Sequence, residues 1–156
     1  MSADTRDPGR IDLVMQLVRQ SAPVDVAETL NWLEEAGWRA RAAWGGPPDW
    51  PGNASLAVEF AKDGDEVSIA RDRGQWMLDI CPVGWGRSVD LEIVHAAITG
   101  RSDWSGLRVE VLPVQLPSGV SWREWVPRAL TWLSEAPDRE QMLRAMKLQR
   151  SRHLFP

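Results

Sequence analysis

The side chains that could do acid–base or nucleophilic chemistry are few: one cysteine, Cys81, and two histidines, His95 and His153. A histidine that acts as a general base needs an oriented carboxylate beside it and a nucleophile or substrate to serve. His95 has Asp90 and Glu92 near it in sequence, but it lies at the edge of the apolar stripe of a predicted helix. No Gly-x-Ser-x-Gly motif occurs, and Cys81 lies at a predicted strand end without an activating motif. We therefore predict that His95 is structural and that the protein is not an enzyme.

The sequence also lacks the patterns of a metal or cofactor site. Cys81, His95 and His153 do not have the pairwise spacing of zinc ligands. The acidic run 63–66 offers too few ligands for calcium, and a hairpin turn explains it. No glycine-rich phosphate loop follows any predicted strand. We predict no metal and no cofactor.

Tryptophan dominates the aromatic residues, with ten Trp, two Phe and no Tyr. Indole suits both cores and the energetic centres of protein interfaces. A gene rich in G and C would give the same bias, because Trp codons and most Arg codons are GC-rich; both explanations stay open. We predict that the tryptophans of regular elements belong to the core: Trp38, Trp44 and Trp76 on strands, and Trp122, Trp125 and Trp132 on one helix.

Three further tryptophans lie in connectors rich in Gly, Pro or Ser: Trp50, Trp85 and Trp104. Such an indole either folds back over the core or remains exposed as a binding anchor. Exposed beside Asp49 and Asp103, these indoles would form an acidic patch with aromatic anchors. A surface of that kind suits a basic protein partner.

Length and charge favour one acidic domain. A chain of 156 residues predicts a single domain over 1–156, with the polar residues 1–8 disordered. The net charge of −4 divides into +3 from residue 138 onward and −7 before it. An acidic body disfavours nucleic acid, and the basic tail is explained by the dipole of a terminal helix. With no apolar stretch long enough for a signal or a membrane span, we expect a soluble, cytoplasmic protein.

The hydrophobic spacing predicts two helices first. Residues 10–20 have helical periodicity, and Asp25 with Glu28 forms a predicted capping box for a second helix that ends at Gly37. From 38 to 80 the apolar residues alternate, which predicts an antiparallel meander whose tight turn is Asp63-Gly64.

The later elements are a helix over 88–99, a strand over 107–111, and two final helices. Ser121 and Glu124 form a second predicted capping box, Pro127 falls inside the helix that follows, and Asp138 with Gln141 caps the last helix. The fold class is therefore predicted as α+β, with an antiparallel sheet of four to five strands (the meander 38–80 plus strand 107–111) covered on one face by the N- and C-terminal helices.

The run VEFAKDGDEVSIARDRGQWMLDI, followed by the helix SVDLEIVHAAITG, resembles small actinobacterial immunity proteins that neutralise polymorphic toxins. The resemblance covers roughly residues 55–100. It implies a non-enzymatic inhibitor that sits on the active face of a toxin.

Three functions follow as hypotheses. The first is an immunity protein that blocks a basic toxin domain by steric and electrostatic complementarity. The second is a secretion chaperone or adaptor that binds a client protein. The third is a small-molecule-binding domain with a tryptophan-lined pocket between sheet and helices. The sequence does not decide between a monomer and a dimer.

Overall fold

The computed structural model describes residues 4–45, 55–72, 75–100, 120–135 and 138–154, with the side chains described as far as 152. Within these ranges the helices are α1 (Pro8–Ser21), α2 (Val24–Glu35), α3 (Leu91–Thr99), α4 (Trp122–Glu135) and α5 (Arg139–Leu154). The strands are β1 (Arg39–Gly45), β2 (Leu56–Lys62), β3 (Asp65–Asp72), β4 (Gln75–Cys81) and β5 (Val89–Asp90). They form one antiparallel sheet in the order β1-β2-β3-β4-β5. The α+β class and the meander are confirmed; the predicted strand 107–111 lies outside the described residues.

Residues 4–8, within the segment 1–8 that the sequence predicted to be disordered, make contacts with α1 and with the sheet. The Asp7 carboxylate accepts a hydrogen bond from the third residue of α1, which caps the helix. The Thr5 carbonyl accepts from the backbone N–H of Ala43 at 2.8 Å, so this segment is bonded to the edge strand β1. Polar side-chain and backbone groups of this segment therefore have partners both within α1 and on β1.

The capping box predicted at Asp25 and Glu28 is wrong. Helix α2 begins one residue after Pro23, and no side chain caps it. The Asp25 carboxylate instead accepts from the Ser121 hydroxyl and from the backbone N–H of Trp122, both at 2.7 Å. Helices α2 and α4 begin side by side. The Asp25 carboxylate therefore accepts hydrogen bonds at the start of α4, where backbone N–H groups have no partner within their own helix.

The turn between β2 and β3 and the alternation of β2, β3 and β4 are confirmed. Asp63 and Gly64 have φ values of 52° and 89°, as a turn with two left-handed residues requires. One face of these strands, the inner face, is buried beneath the helices. Its side chains are Leu56, Val58, Phe60, Val67, Ile69, Trp76, Leu78 and Ile80.

The prediction that Trp44 belongs to the core is wrong, and a β-bulge is the reason. The register of β1 against β2 shifts between Ala40 and Ala42, so one extra residue enters the strand. Beyond the bulge the alternation reverses, which turns Ala43 inward beside Val58. Trp44 therefore points away from the core and is 42% exposed.

A short strand that the sequence did not predict follows the meander. Gly84, with φ 82°, lies in the turn after β4, and β5 then pairs with β4 through only two residues. The second of them, Asp90, caps α3 by accepting from the Ile93 N–H at 3.0 Å. Gly100 ends α3 in the left-handed conformation, with φ 71°. The predicted bounds of this helix are thus confirmed to within a few residues.

Helices α3 and α4 complete the core, and α5 adds little to it. Ser121 caps α4, because its hydroxyl oxygen accepts from the Glu124 N–H at 3.3 Å. The predicted tryptophan face of α4 is confirmed, since Trp122 and Trp125 are buried and Trp132 packs against the core. On α5 Leu143 is buried, whereas Met142 is 45% exposed.

Candidate functional site

His95 lies inside the helical layer. Its side chain is 6% exposed, and its ring meets the edge of the Trp125 indole with 4.3 Å between centroids and an interplanar angle of 70°. The guanidinium of Arg128 covers the same indole at 3.9 Å. Such aromatic contacts are packing interactions, and they hold His95 between α3 and α4.

Asp90 and Glu92, the acidic neighbours of His95 in sequence, both bind Arg150. Arg150, on α5, donates two parallel hydrogen bonds to the Asp90 carboxylate, at 2.9 and 2.8 Å, and a third to Glu92 at 2.5 Å. All three side chains are at most 12% exposed. Burial lowers the pKa of Arg150, but its bonds to Asp90 and Glu92 outweigh that effect and raise it. This buried cluster fastens α5 to the start of α3.

Two other basic residues of the C-terminal tail also bind within the chain. Arg139 stacks on the Trp132 indole at 4.0 Å and donates to the Trp132 carbonyl near the end of α4. Arg144 pairs with Glu140, one turn before it on α5. These contacts give part of the tail's positive charge partners within the chain.

The face of the sheet opposite the helices, the outer face, contains a hollow of about 270 Å³. We call it the outer-face hollow; its lining is Trp44, Glu59, Glu66, Ser68, Asp79, Cys81 and Ser88. The strand register builds it, because Glu59, Ser68 and Asp79 lie opposite one another on β2, β3 and β4. Trp44 forms one wall of the hollow, beside Ala57 across the pair β1–β2.

Arg41, the extra residue of the bulge, is bonded to two carboxylates of this hollow. One terminal nitrogen donates to Glu59 at 2.5 Å and to Glu66 at 2.6 Å. These bonds raise the pKa of Arg41 above its ordinary value. Its side chain is nevertheless 46% exposed. Among the described residues, three carboxylates therefore line the hollow, and the Arg41 guanidinium is bonded to two of them.

The third carboxylate, Asp79, has an unusual acidity. Burial, and then the charge of Asp90 on the neighbouring strand, raise its pKa to about 6, while Lys147 and Arg150 act in the opposite direction. Burial likewise raises the pKa of the Cys81 thiol, helped by the charge of Glu66. A raised pKa disfavours the thiolate, so Cys81 is a poor nucleophile at neutral pH.

Of the five residues predicted to bind a partner, the described ranges include one. Trp85 is half-buried, packs against the core, and lines a narrow cleft with Leu143 and Lys147 of α5. Its carbonyl accepts a hydrogen bond from the Cys81 thiol at 3.6 Å. Trp50, Trp104, Asp49 and Asp103 lie outside the described residues.

A second depression, of about 370 Å³, lies between α2, α4 and the β2–β3 turn. Trp32, Trp38 and Leu130 supply its apolar wall, and Asp63 and Asp65 lie at its edge. Two of its lining residues are thus tryptophans, one from α2 and one next to β1.

The outer-face hollow was not predicted from the sequence, although part of the signal was present. The alternation of β2 and β4 placed Glu59 and Asp79 opposite the apolar residues. It could not show that they share one row across three strands, because that row depends on register. Nor could it place Trp44 beside them, because no local pattern marked the bulge at Arg41.

Among the described residues, no group of three or more His, Cys, Asp or Glu is arranged to hold a metal ion. None of the helices in the described part of the chain combines the length and the apolar character needed to cross a bilayer. Comparison with known proteins gives no matching family model, no matching curated protein and no matching solved structure.

Proposed function

We propose that the protein is a non-enzymatic binding module of the immunity type, which neutralises a basic toxin domain by placing the outer face of its sheet on it. The observation that carries this proposal is the outer-face hollow. It combines a half-exposed indole, Trp44, with the three carboxylates of Glu59, Glu66 and Asp79. Aromatic anchors within a charged surrounding are typical of protein interfaces.

The electrostatics favour a cationic partner. Complementary charge raises the association rate and excludes partners of the wrong sign more than it adds affinity. With Asp79 ionised, the carboxylates of the hollow outnumber the single guanidinium of Arg41. An acidic surface of this kind can cover the basic active face of a toxin that acts on an anionic substrate.

The outer face of the sheet is smaller than a standard interface, so we expect the interface to include residues beyond the sheet. Strands of seven residues are about 24 Å long, and four of them are about 19 Å wide, so the outer face offers about 450 Å². A standard interface takes about 800 Å² from each partner. Trp50, which follows Trp44 by six residues in the β1–β2 connector, is the predicted anchor for part of the remainder.

The test is co-expression with the product of the neighbouring gene in a bacterial host. We expect that product to arrest growth, this chain to restore it, and the combined variant Glu59→Gln, Glu66→Gln, Asp79→Asn to restore it poorly. The complex should also weaken as salt is raised, because the charges involved are partly exposed.

A matched control removes three exposed carboxylates from α1 and α2, as Asp12→Asn, Glu28→Gln and Glu35→Gln. This control changes the net charge equally but leaves the outer face intact, so it should restore growth fully. Equal rescue by both variants would contradict docking through the outer face. A neighbouring product that is neither toxic nor bound by this chain would contradict the immunity role.

A small-molecule function is a second candidate. The depression between α2, α4 and the β2–β3 turn, which Trp32 and Trp38 line, has a volume within the usual range of ligand sites. A metabolite screen by tryptophan fluorescence separates the two functions. A saturable ligand whose signal is lost in Trp32→Leu would favour this second candidate over protein binding.

A further inference from the structure

Guanidinium groups on indole rings are a recurrent contact in this protein. Four such pairs occur in the described residues: Arg71 on Trp76, Arg123 on Trp32, Arg128 on Trp125 and Arg139 on Trp132, with distances of 5.6, 5.2, 3.9 and 4.0 Å to the ring centroids. In the same part of the chain, no cation lies over Trp44, although this indole is 42% exposed and borders three carboxylates. Trp44 therefore presents an aromatic face to which a cation from outside could bind.

The carboxylates next to Trp44 already bind a guanidinium. Arg41 reaches Glu59 and Glu66 with a single terminal nitrogen. An ionised carboxylate has about four acceptor positions, so both groups retain the capacity for further donors. Arg41 lies on an edge strand with almost half of its side chain exposed, which leaves it room to move aside.

We propose that the outer-face hollow receives an arginine side chain of the protein partner, whose guanidinium stacks on Trp44 and donates to Glu59 and Asp79. This assignment rests on the proposed function and specifies what the partner presents. A planar guanidinium can stack and bond two carboxylates at once, whereas a lysine ammonium is a compact, strongly hydrated point charge. A volume of about 270 Å³ is smaller than most ligand sites, which suits one side chain.

Arg41 has a defined part in this proposal, as the internal competitor of the partner's arginine. The incoming guanidinium takes the acceptor positions near Glu59, and Arg41 keeps Glu66. Removal of Arg41 should therefore strengthen binding, whereas the loss of an ordinary supporting residue would weaken it.

Asp79 makes the interaction depend on pH. Asp90 and Ser68 face it from the neighbouring strands, Lys147 and Arg150 belong to α5, and Glu59, Glu66, Cys81 and Ser88 share the hollow with it. Its pKa of about 6 means that the hollow gains a negative charge between mildly acidic and neutral pH. Binding of an arginine should strengthen over that interval.

The experiment titrates the full-length protein with hexa-arginine and with hexa-lysine, which carry equal charge, and follows binding by calorimetry. We expect hexa-arginine to bind about fivefold more tightly, the contribution of one stacked guanidinium. Trp44→Leu should reduce the ratio of the two affinities to about one, and Trp44→Phe should leave an intermediate ratio. Glu28→Gln, which removes an exposed carboxylate from α2, should leave both affinities unchanged.

Two further variants test the acceptors and the competitor. Asp79→Asn should weaken hexa-arginine binding at neutral pH about threefold and flatten its rise between about pH 5 and 7. Arg41→Gln should strengthen binding about threefold. Thermal unfolding of each variant confirms that the fold is retained.

The proposal is overturned by equal affinities for the two peptides, by an arginine preference that survives Trp44→Leu, or by weaker binding in Arg41→Gln. No saturable binding of hexa-arginine at about millimolar concentration would also overturn it. Growth rescue without an arginine preference would leave the immunity function standing and remove only this assignment. An arginine preference without growth rescue would leave this assignment standing and remove the immunity function.

Discussion

The Asp25 carboxylate, in the first turn of α2, accepts a hydrogen bond from the Ser121 hydroxyl at 2.7 Å, across 96 positions of sequence. The same carboxylate accepts from the backbone N–H groups of Trp122 and Arg123. It therefore caps α4 from a neighbouring helix. This contact fixes where the two helices begin relative to each other.

Removing this carboxylate should destabilise the protein. Asp25→Ala leaves the first N–H groups of α4 without their acceptor, and we expect the free energy of unfolding to fall by about 1–3 kcal/mol. Urea denaturation measures the loss. Glu28→Ala, the other half of the capping box that the sequence suggested, should change it by less than about 0.5 kcal/mol. Equal losses would show that Asp25 acts only within α2.

Breaking the buried cluster at α5 should cost more. Arg150→Ala leaves Asp90 and Glu92 buried without their common guanidinium, so we expect a loss of about 3–5 kcal/mol. Arg144→Ala removes a pair in which Arg144 is more than half exposed and Glu140 partly exposed, and should cost less than about 0.5 kcal/mol. Limited proteolysis near the C-terminus, with equilibrium unfolding, tests whether α5 detaches first. A stable α5 in Arg150→Ala would contradict the anchoring role.

Replacing Asp79 should stabilise the protein at neutral pH. Its folded pKa of about 6 lies above the ordinary value of 3.8, so the folded state holds this proton more tightly than the unfolded chain does. The cost of ionisation is thus fully present above about pH 6 and disappears as the pH falls below the unfolded value. Asp79→Asn should raise the free energy of unfolding by up to about 3 kcal/mol at pH 7.

The measurement for Asp79 is the difference between the variant and the original protein in urea midpoints, taken across pH. That difference should be near zero at about pH 3, below the ordinary pKa of 3.8, and grow towards pH 7. A difference independent of pH would show that the substitution acts through packing and not through charge.

The bulge at Arg41 predicts different roles for Trp38 and Trp44, which stand at the two ends of the same alternating run. Trp38→Leu removes a 7%-exposed indole from the core and should cost about 3 kcal/mol. Trp44→Leu should cost less than about 1 kcal/mol. Acrylamide should quench the fluorescence of Trp44 far more strongly than that of Trp38. Comparing the quenching of each variant with that of the original protein measures this difference. Similar stability losses for both would contradict the reversal of faces.

Substitution can also show which of the connector tryptophans, Trp50, Trp85 and Trp104, are core residues and which are exposed anchors. Trp85→Ala should cost about 1–2 kcal/mol, because the indole packs against the core and α5. If Trp50 and Trp104 face water, Trp50→Ala and Trp104→Ala should cost little stability and should weaken capture of the partner. Thermal unfolding and the growth assay are the two measurements. Large stability losses at Trp50 and Trp104 would show them to be core residues.

Most of the fold could be predicted because its signals are local. Alternation marked β2, β3 and β4, and the dipeptide Asp63-Gly64 marked their turn, since strand faces and turn conformations depend on a few neighbouring residues. The spacing of α3 and its end at Gly100 were equally local. The strand β5 was missed because two residues are too few to show any period.

By itself, then, the sequence determined the class of the fold, the order of its helices and its four long strands in the described part of the chain, and which side of the meander is apolar. Only the tertiary structure decided that Asp25 caps a distant helix, that Arg150 is buried against Asp90, and that Trp44 lies on the outer face. It also brought Glu59 and Asp79 into one hollow with that indole. The reason is that periodicity depends on neighbours along the chain. Register, a one-residue bulge and contacts between distant segments depend on how whole elements pack.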